Sequence, residues 1–336
     1  MRPFEYIRPA SLAEAVLTME DAREPSSDAI LVGGTTLLDL MKLDVMEPRR
    51  LVDLRALEGE LGHIRAEPDA LHLGAFARMA DVAADHAILA DYPVIAQSLS
   101  LAASAQLRNM ASLGGNVLQR TRCAYFRDPS WSACNKRVPG SGCAAREGAN
   151  RTHAVLGTSD HCIATYPGDF AQALIALDAK VVVVSRRGAR TVPFAELHRL
   201  PGATPHRETR LEHGEIIVEF VVPARSWTWR SLYLKVRDRQ SYEFAVASAA
   251  VAMDLDGDVV RDVRIALGGV ATVPWRAREA EAALEGGPLT EAAAQSAART
   301  AFASARPQSH NAFKVALGEA TLVRALREAA TMEPRL

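Results

Sequence analysis

Apolar and polar positions along the chain change period several times, and each change marks an element. PASLAEAVLTME repeats its apolar residues at helical spacing behind a proline and Ser11, which predicts a helix with Ser11 as N-cap. AILVGG is a short apolar run closed by two glycines, a strand followed by a turn. LLDLMKL fits a turn of helix, RRLVDLRAL a strand, and ALHLGAFARMADVAAD a strand, a loop and a helix. Beyond Ala90, YPVIAQSLSLAASAQLRNM keeps helical spacing until ASLGGNVLQ interrupts it. FAQALIALDA restores a helix, and KVVVVSRRG and GEIIVEFVVPA are strands. From Ser226 to Ala277 the pattern reads, in order, as a strand, an apolar helix and a hairpin turning at DLDGD. Ala- and Glu-rich helices close the chain, and a boundary near residue 224, just beyond Pro223, divides it in two.

One stretch obeys neither period. CAYFRDPSWSACNKRVPGSGCAAREGANRTHAVLGTSDHC, residues 123–162, is too polar and too punctuated by glycine to pack as a regular element. An irregular segment of this length inside a compact domain calls for something other than a hydrophobic core to hold it. Composition narrows the rest. The net charge is -1 at pH 7, so no basic surface speaks for a nucleic-acid partner. No window approaches the roughly eighteen uninterrupted apolar residues of a membrane span, and MRPFEYIRPASLAEAV has no apolar signal region, so neither membrane insertion nor export by the chain's own signal is expected.

All four cysteines, Cys123, Cys134, Cys143 and Cys162, lie in the irregular stretch, spaced C-x10-C-x8-C-x18-C. Four soft thiolates can hold a tetrahedral zinc or a 4Fe-4S cluster. The paired knuckles usual for structural zinc are absent. Two disulfides, or four unconnected thiols, are the other readings; disulfides would staple little of a domain able to build a core. His153 and His161 flank the stretch and read as exposed or as hydrogen-bonding to ligands, while Tyr125, Phe126 and Trp131 could shield a cluster from water. Two glycine turns add a different chemistry. LVGGTTLLDLM passes from a strand through Gly33, Gly34, Thr35 and Thr36 into a helix, presenting backbone amides and hydroxyls suited to a diphosphate. ASLGGNVLQ supplies a second turn with Ser112, Gly114, Gly115 and Asn116. Neither matches the nicotinamide fingerprint G-x-G-x-x-G, which favours a flavin dinucleotide in some other fold.

In order along the chain, LVGGTTLLDLMK, LGAFARMADVA, QLRNMASLGGN, DFAQALIALDA, EIIVEFVVP and LKVRDRQSYEFAVASAAVAM resemble the FAD-binding subunit of molybdenum hydroxylases, the group of xanthine dehydrogenase, carbon monoxide dehydrogenase and aldehyde oxidoreductases. QRTRC, CNKR, PGSGC and AVLGTSDHCIAT resemble more narrowly the periplasmic aldehyde oxidoreductase type, whose flavin subunit carries an extra 4Fe-4S cluster. The fold this implies is α+β. A two-part FAD-binding domain of the vanillyl-alcohol-oxidase or PCMH type would span 1–224, with subdomains at about 1–55 and 56–224 and an Fe-S insertion at 119–165. A smaller α/β C-terminal domain would span 225–336.

The resemblance places FAD contacts at Leu31, Val32, Gly33, Gly34, Thr35, Thr36, Leu37 and Leu38 in a first loop, and at Ser112, Gly114, Gly115 and Asn116 in a second. Asp169, Ile216 and Lys235 fall where the family has further flavin contacts. It implies that Cys123, Cys134, Cys143 and Cys162 bind the cluster, in an insertion of about fifty residues between Asn116 and Asp169 that most relatives lack. The implied activity is electron transfer. A large molybdopterin-binding subunit would oxidise an aldehyde, a small subunit with 2Fe-2S clusters would relay the electrons, and the FAD here would pass them to an external acceptor. The chain alone is not expected to oxidise aldehydes, and no catalytic residue is assigned. A heterotrimer is expected, in the periplasm by co-export with a signal-bearing partner or else in the cytoplasm. The rival reading is a non-catalytic assembly subunit stapled by zinc or disulfides.

Overall fold

The computed structural model describes residues 1–21 and 27–333. Three sheets carry it. The first is parallel, with β1 (Glu5–Ile7), β2 (Asp28–Leu31) and β3 (Arg50–Asp53) in the order β1-β3-β2. The helix Leu12–Glu20 follows β1, and Ser11 caps it as the pattern predicts, its Oγ accepting from the Glu14 amide at 3.2 Å. The second sheet is antiparallel, with β4 (Ile64–Ala66), β5 (Ala70–Gly74), β6 (Lys180–Ser185), β7 (Gly188–Pro193) and β8 (Ile216–Pro223) in the order β4-β5-β8-β6-β7. Alternate residues such as Val181, Val183 and Phe220 turn inward and form one core with the helices Pro93–Ser100 and Phe170–Ala176.

The third sheet joins β9 (Ser231–Val236), β10 (Ala247–Asp256), β11 (Val259–Gly268) and β12 (Trp275–Arg276), all antiparallel. Here the structure corrects the pattern. The apolar segment before DLDGD is not a helix but the central strand β10, whereas the strand ahead of it, β9, and the hairpin at Gly257 are as expected. Its alanines face both ways: Ala250 and Ala252 join the first core, while Ala249, Val251 and Met253 join a second core under the helices Glu291–Phe302 and Phe313–Ala330. A strand buried on both faces reads as a continuous apolar run, and small side chains let helices approach from either side, so packing overrides the helical preference of alanine.

A second difference lies in YPVIAQSLSLAASAQLRNM. The helix stops at Ser100, Ala103 takes a φ of 48°, and a short helix resumes at Ala105–Arg108 under a Ser104 cap. Among the described residues, no helix is long and apolar enough to cross a membrane.

Residues 119–165 form an excursion with a single turn of helix, Ala124–Arg127, and backbone bridges at Cys134↔Cys143 and Ser159↔Cys162. Two small apolar clusters meet at the cysteines: Leu40, Phe126 and Cys134 on one side, Tyr125, Ala145 and Ile163 on the other. Side chains supply the remaining order. Arg137 donates to the carbonyls of Tyr125, Phe126 and Trp131, and Asn135 bridges His161 O and the Gly142 amide.

Candidate functional site

The alternation of LVGGTTLLDLM divides its work. Leu31, Leu37 and Leu38 pack in a small core under the parallel sheet, and Val32 packs against the main core. The glycines let the loop approach its neighbour: a Cβ on Gly33 would stand 2.2 Å from the Met110 carbonyl oxygen, and Gly34 has a φ of 70°. Thr35 and Thr36 are left facing a cavity with an empty volume of about 1470 Å3. Thr36 sits at the N-cap of the helix Leu37–Lys42 but makes no side-chain capping bond.

The second glycine turn meets the same cavity through Asn116. Its amides are engaged within the protein: Gly114 N donates to Ala75 O at 2.7 Å, Gly115 N to Ser112 Oγ at 3.2 Å, and Asn116 N to Ser112 O at 2.9 Å. Ser112, Gly114 and Gly115 therefore shape the turn, and the Asn116 side chain is its reach toward a ligand.

Asp169 lines the cavity as N-cap of Phe170–Ala176 and is buried. It accepts from the Tyr233 hydroxyl and from Lys235 Nζ, the latter at 2.8 Å, while the same Nζ donates to Leu101 O at 3.1 Å. Burial pushes the Asp169 carboxyl up against the pull of Lys235 and Tyr233. Lys235 thus reaches the site through Asp169. Ile216 is not brought to this cavity. It opens β8 opposite Val184 and points into the first core, where it is buried.

Three arginines that the sequence reading did not assign, Arg122, Arg127 and Arg239, also line the cavity. Arg127 and Arg122 donate to Asp39 at 2.8 and 3.0 Å, and Arg127 foremost holds that carboxyl below its ordinary range. Burial lowers the Arg122 guanidinium, which lies over the Phe244 ring. Two buried polar atoms around the cavity, Arg122 Nε and Asn116 Oδ1, have no hydrogen-bond partner. Unmatched buried donors and acceptors beside hydroxyls and arginines suit a large polar anion, and the part of the cavity that can hold water-sized groups, about 580 Å3, lies within the roughly 300–1000 Å3 of a small-molecule or cofactor site. The residues fit a dinucleotide. KVRDRQSYEF, already part of the resemblance, contained the clue to Arg239, and the adjacency in QRTRC the clue to Arg122.

The four cysteines converge as well. Each lines a single small cavity with an empty volume of about 290 Å3, walled also by Tyr125, Phe126 and Lys136. All four are free thiols. Burial pushes Cys123 up to about 12 and Cys162 up to about 11, so both stay protonated at neutral pH unless a bound cation draws off the proton. Among the described residues, no group of three or more His, Cys, Asp or Glu side chains is arranged to hold a metal ion. His153 is buried with Nε2 at 3.2 Å from Cys123 Sγ, and burial together with the Lys314 charge pushes it down to about 4, a neutral imidazole. Phe126 and Tyr125 are buried against the cysteines, whereas Trp131 is exposed.

The two cavities adjoin. Arg122 lines the larger, Cys123 the smaller, and both line an intermediate one with an empty volume of about 770 Å3 together with His153, Phe244 and Lys314.

Comparison with known proteins agrees with this arrangement. Residues 2–225 match the FAD binding domain in molybdopterin dehydrogenase, and residues 232–329 the CO dehydrogenase flavoprotein C-terminal domain. The chain is 44% identical to the aldehyde oxidoreductase FAD-binding subunit PaoB of Escherichia coli (strain K12), over 98% of this chain and 99% of that one. It is 30% identical to the carbon monoxide dehydrogenase medium chain of Hydrogenophaga pseudoflava, over 90% and 88%. The solved carbon monoxide dehydrogenase of that organism, in a form lacking the Mo-pyranopterin moiety, superposes with a TM-score of 0.76 at 29% identity, covering 98% of each chain. Fold and site thus define a flavoprotein of the molybdopterin dehydrogenase class. The chain belongs to the FAD-binding subunits of the aldehyde oxidoreductase and xanthine dehydrogenase family.

Proposed function

We propose that this chain is the electron-transfer subunit of a molybdenum-dependent aldehyde oxidoreductase. In this reading it holds FAD between the 2Fe-2S clusters of a small partner subunit and an external acceptor, with a large molybdopterin-binding partner oxidising the aldehyde. We further propose that Cys123, Cys134, Cys143 and Cys162 hold a 4Fe-4S cluster. Bound FAD takes up one or two electrons and an iron-sulfur cluster exchanges one, which suits a junction between one-electron and two-electron carriers.

The observation that carries the reading is the convergence of all four thiols on one cavity that adjoins the cavity between the two glycine loops. Four thiols around one cavity, none of them paired in the close knuckle usual for structural zinc, favour a cluster over zinc. Their free state speaks against a disulfide staple. The protein's own part is positional. Thr35, Thr36 and Asn116 would hold the dinucleotide, and Arg122 and Arg127 would meet its charge. Asp169, fixed by Lys235 and Tyr233, would accept from a ligand hydroxyl.

The test is absorbance with metal and sulfide analysis of the purified chain. Flavin bands over a broad shoulder near ~400 nm, with iron and labile sulfide, are expected for FAD beside a cluster. Cys123→Ser or Cys162→Ser should lose most of the iron and keep flavin. A colourless protein containing zinc would overturn the reading. Co-purification should bring down the two partner subunits, with the periplasm the expected compartment.

A further inference from the structure

Cys123 differs from the other three cysteines in its setting, since a side chain from across the excursion reaches its sulfur. His153 Nε2 lies 3.2 Å from Cys123 Sγ, while Nδ1 of the same ring is buried without a partner. A neutral imidazole carries one proton. Placed on Nε2, that proton meets the sulfur and leaves Nδ1 a bare acceptor. Placed on Nδ1, it would leave the Nε2 lone pair facing, at 3.2 Å, a ligand thiolate that has no proton to give, the costlier arrangement.

The backbone that carries the ring is held by the C-terminal part of the chain. Lys314 Nζ donates to Thr152 O and His153 O at 3.1 Å each and to Gly269 O at 2.7 Å. Asn311 Nδ2 donates to His153 O and Ala154 O at 3.2 Å each. Both side chains are buried, and both spend their donors on the backbone that carries the imidazole. These bonds fix the backbone from which the imidazole reaches the sulfur.

We infer that His153 is a hydrogen-bond donor that tunes the cluster through the Cys123 thiolate, with Lys314 and Asn311 as its positioning residues; this rests on the reading that the four cysteines hold a cluster. A donor on a ligand sulfur stabilises the form with more negative charge, the reduced cluster, and so raises its potential. Cys123 is also the ligand that lines the cavity shared with Arg122 and Phe244, both at the dinucleotide cavity, so the tuned sulfur is the one facing the flavin side.

Two polar substitutions separate the hydrogen bond from mere packing. In His153→Gln the amide nitrogen can stand where Nε2 stood, whereas in His153→Asn it stands near Nδ1 and falls short of the sulfur. The full-length chain is loaded with iron and sulfide, and the cluster's midpoint potential is read by redox titration with electron paramagnetic resonance. His153→Gln should stay at the parent value. His153→Asn should fall by about a tenfold change in the one-electron reduction equilibrium, about 59 mV. Loss of iron from His153→Asn alone, with His153→Gln loaded, would likewise support the donor role. Equal potentials in the two variants, or loss of iron from both, would overturn it. A parent chain with no iron or sulfide would instead overturn the cluster reading on which the inference stands.

Discussion

Asp169 and Lys235 form a buried ion pair whose other partners are the Tyr233 hydroxyl and one backbone carbonyl. Taking one partner from such a pair leaves an uncompensated charge in the interior, so Lys235→Met should cost about 3–5 kcal/mol. Adding Asp169→Asn removes that charge and should restore part of the loss, a coupling that urea unfolding of the four proteins in the cycle measures directly. Lys314 is the other buried charge with a measurable signature. Burial, helped by the Arg151 charge, pushes it down from 10.5 to about 7. Between those values the unfolded chain binds more protons than the folded one, so this group makes stability rise as pH rises through that window. The urea midpoint of the parent should gain on that of Lys314→Met between pH ~7 and ~9, and parallel curves would show that the amine is not burdened by its burial. Sequence alone pointed at Asp169 and Lys235 only through resemblance. Nothing in local pattern pairs residues so far apart, and Tyr233, which completes the pair, carries no motif at all.

The two glycine loops show how much an element's sequence discloses and where it stops. LVGGTTLLDLM announced its strand, its turn and its helix, because alternation and paired glycines are local signals. What the pattern withheld was the neighbour. Gly33 is required less by its own turn than by the Met110 carbonyl against which it lies. A methyl group there forces the loops apart, so Gly33→Ala should lower stability by about 1–3 kcal/mol and weaken flavin retention on dilution, whereas Thr36→Val should weaken retention with little change in stability. If Gly33→Ala keeps its flavin as the parent does, the close approach of the loops is not what shapes the site. The misread element, β10, fails for the complementary reason. FAVASAAVAM satisfies the composition of a helix, and only helices packed on both faces of its sheet make it a strand. The cysteine excursion was legible as an irregular insertion, and His153 as a candidate for hydrogen-bonding to a ligand, yet not that Cys123 is the sulfur it meets, since thirty residues separate the two.

At the scale of the whole molecule the sequence boundary near residue 224 is not a boundary of packing. Ala250 and Ala252 of β10 and Ala266 of β11 belong to the same core as Val94, Ile95 and Phe170, while the opposite face of that sheet is covered by the C-terminal helices. Polar links run across the same seam. Asp178, held at a φ of 52° just after the helix Phe170–Ala176, accepts from Arg276 Nη1 at 2.7 Å and Arg264 Nε at 2.9 Å, and both arginines lie on the third sheet. The excursion is pinned to the C-terminal helices through Lys314, Asn311 and the Asn150 contacts with Ser309 and His310. Elements so interleaved cannot lose one core without exposing the other. Thermal unfolding of the full chain should therefore proceed as one transition, and residues 225–336 made alone should fail to give a cooperative unfolding curve, because the alanine face of their sheet would lie open to water. Ala252→Glu, which buries a charge at that seam, should lower the single transition without splitting it. Two resolved calorimetric transitions in the parent, or a stably folded C-terminal fragment, would show instead that the third sheet holds together on its own and that the seam only joins two independent units.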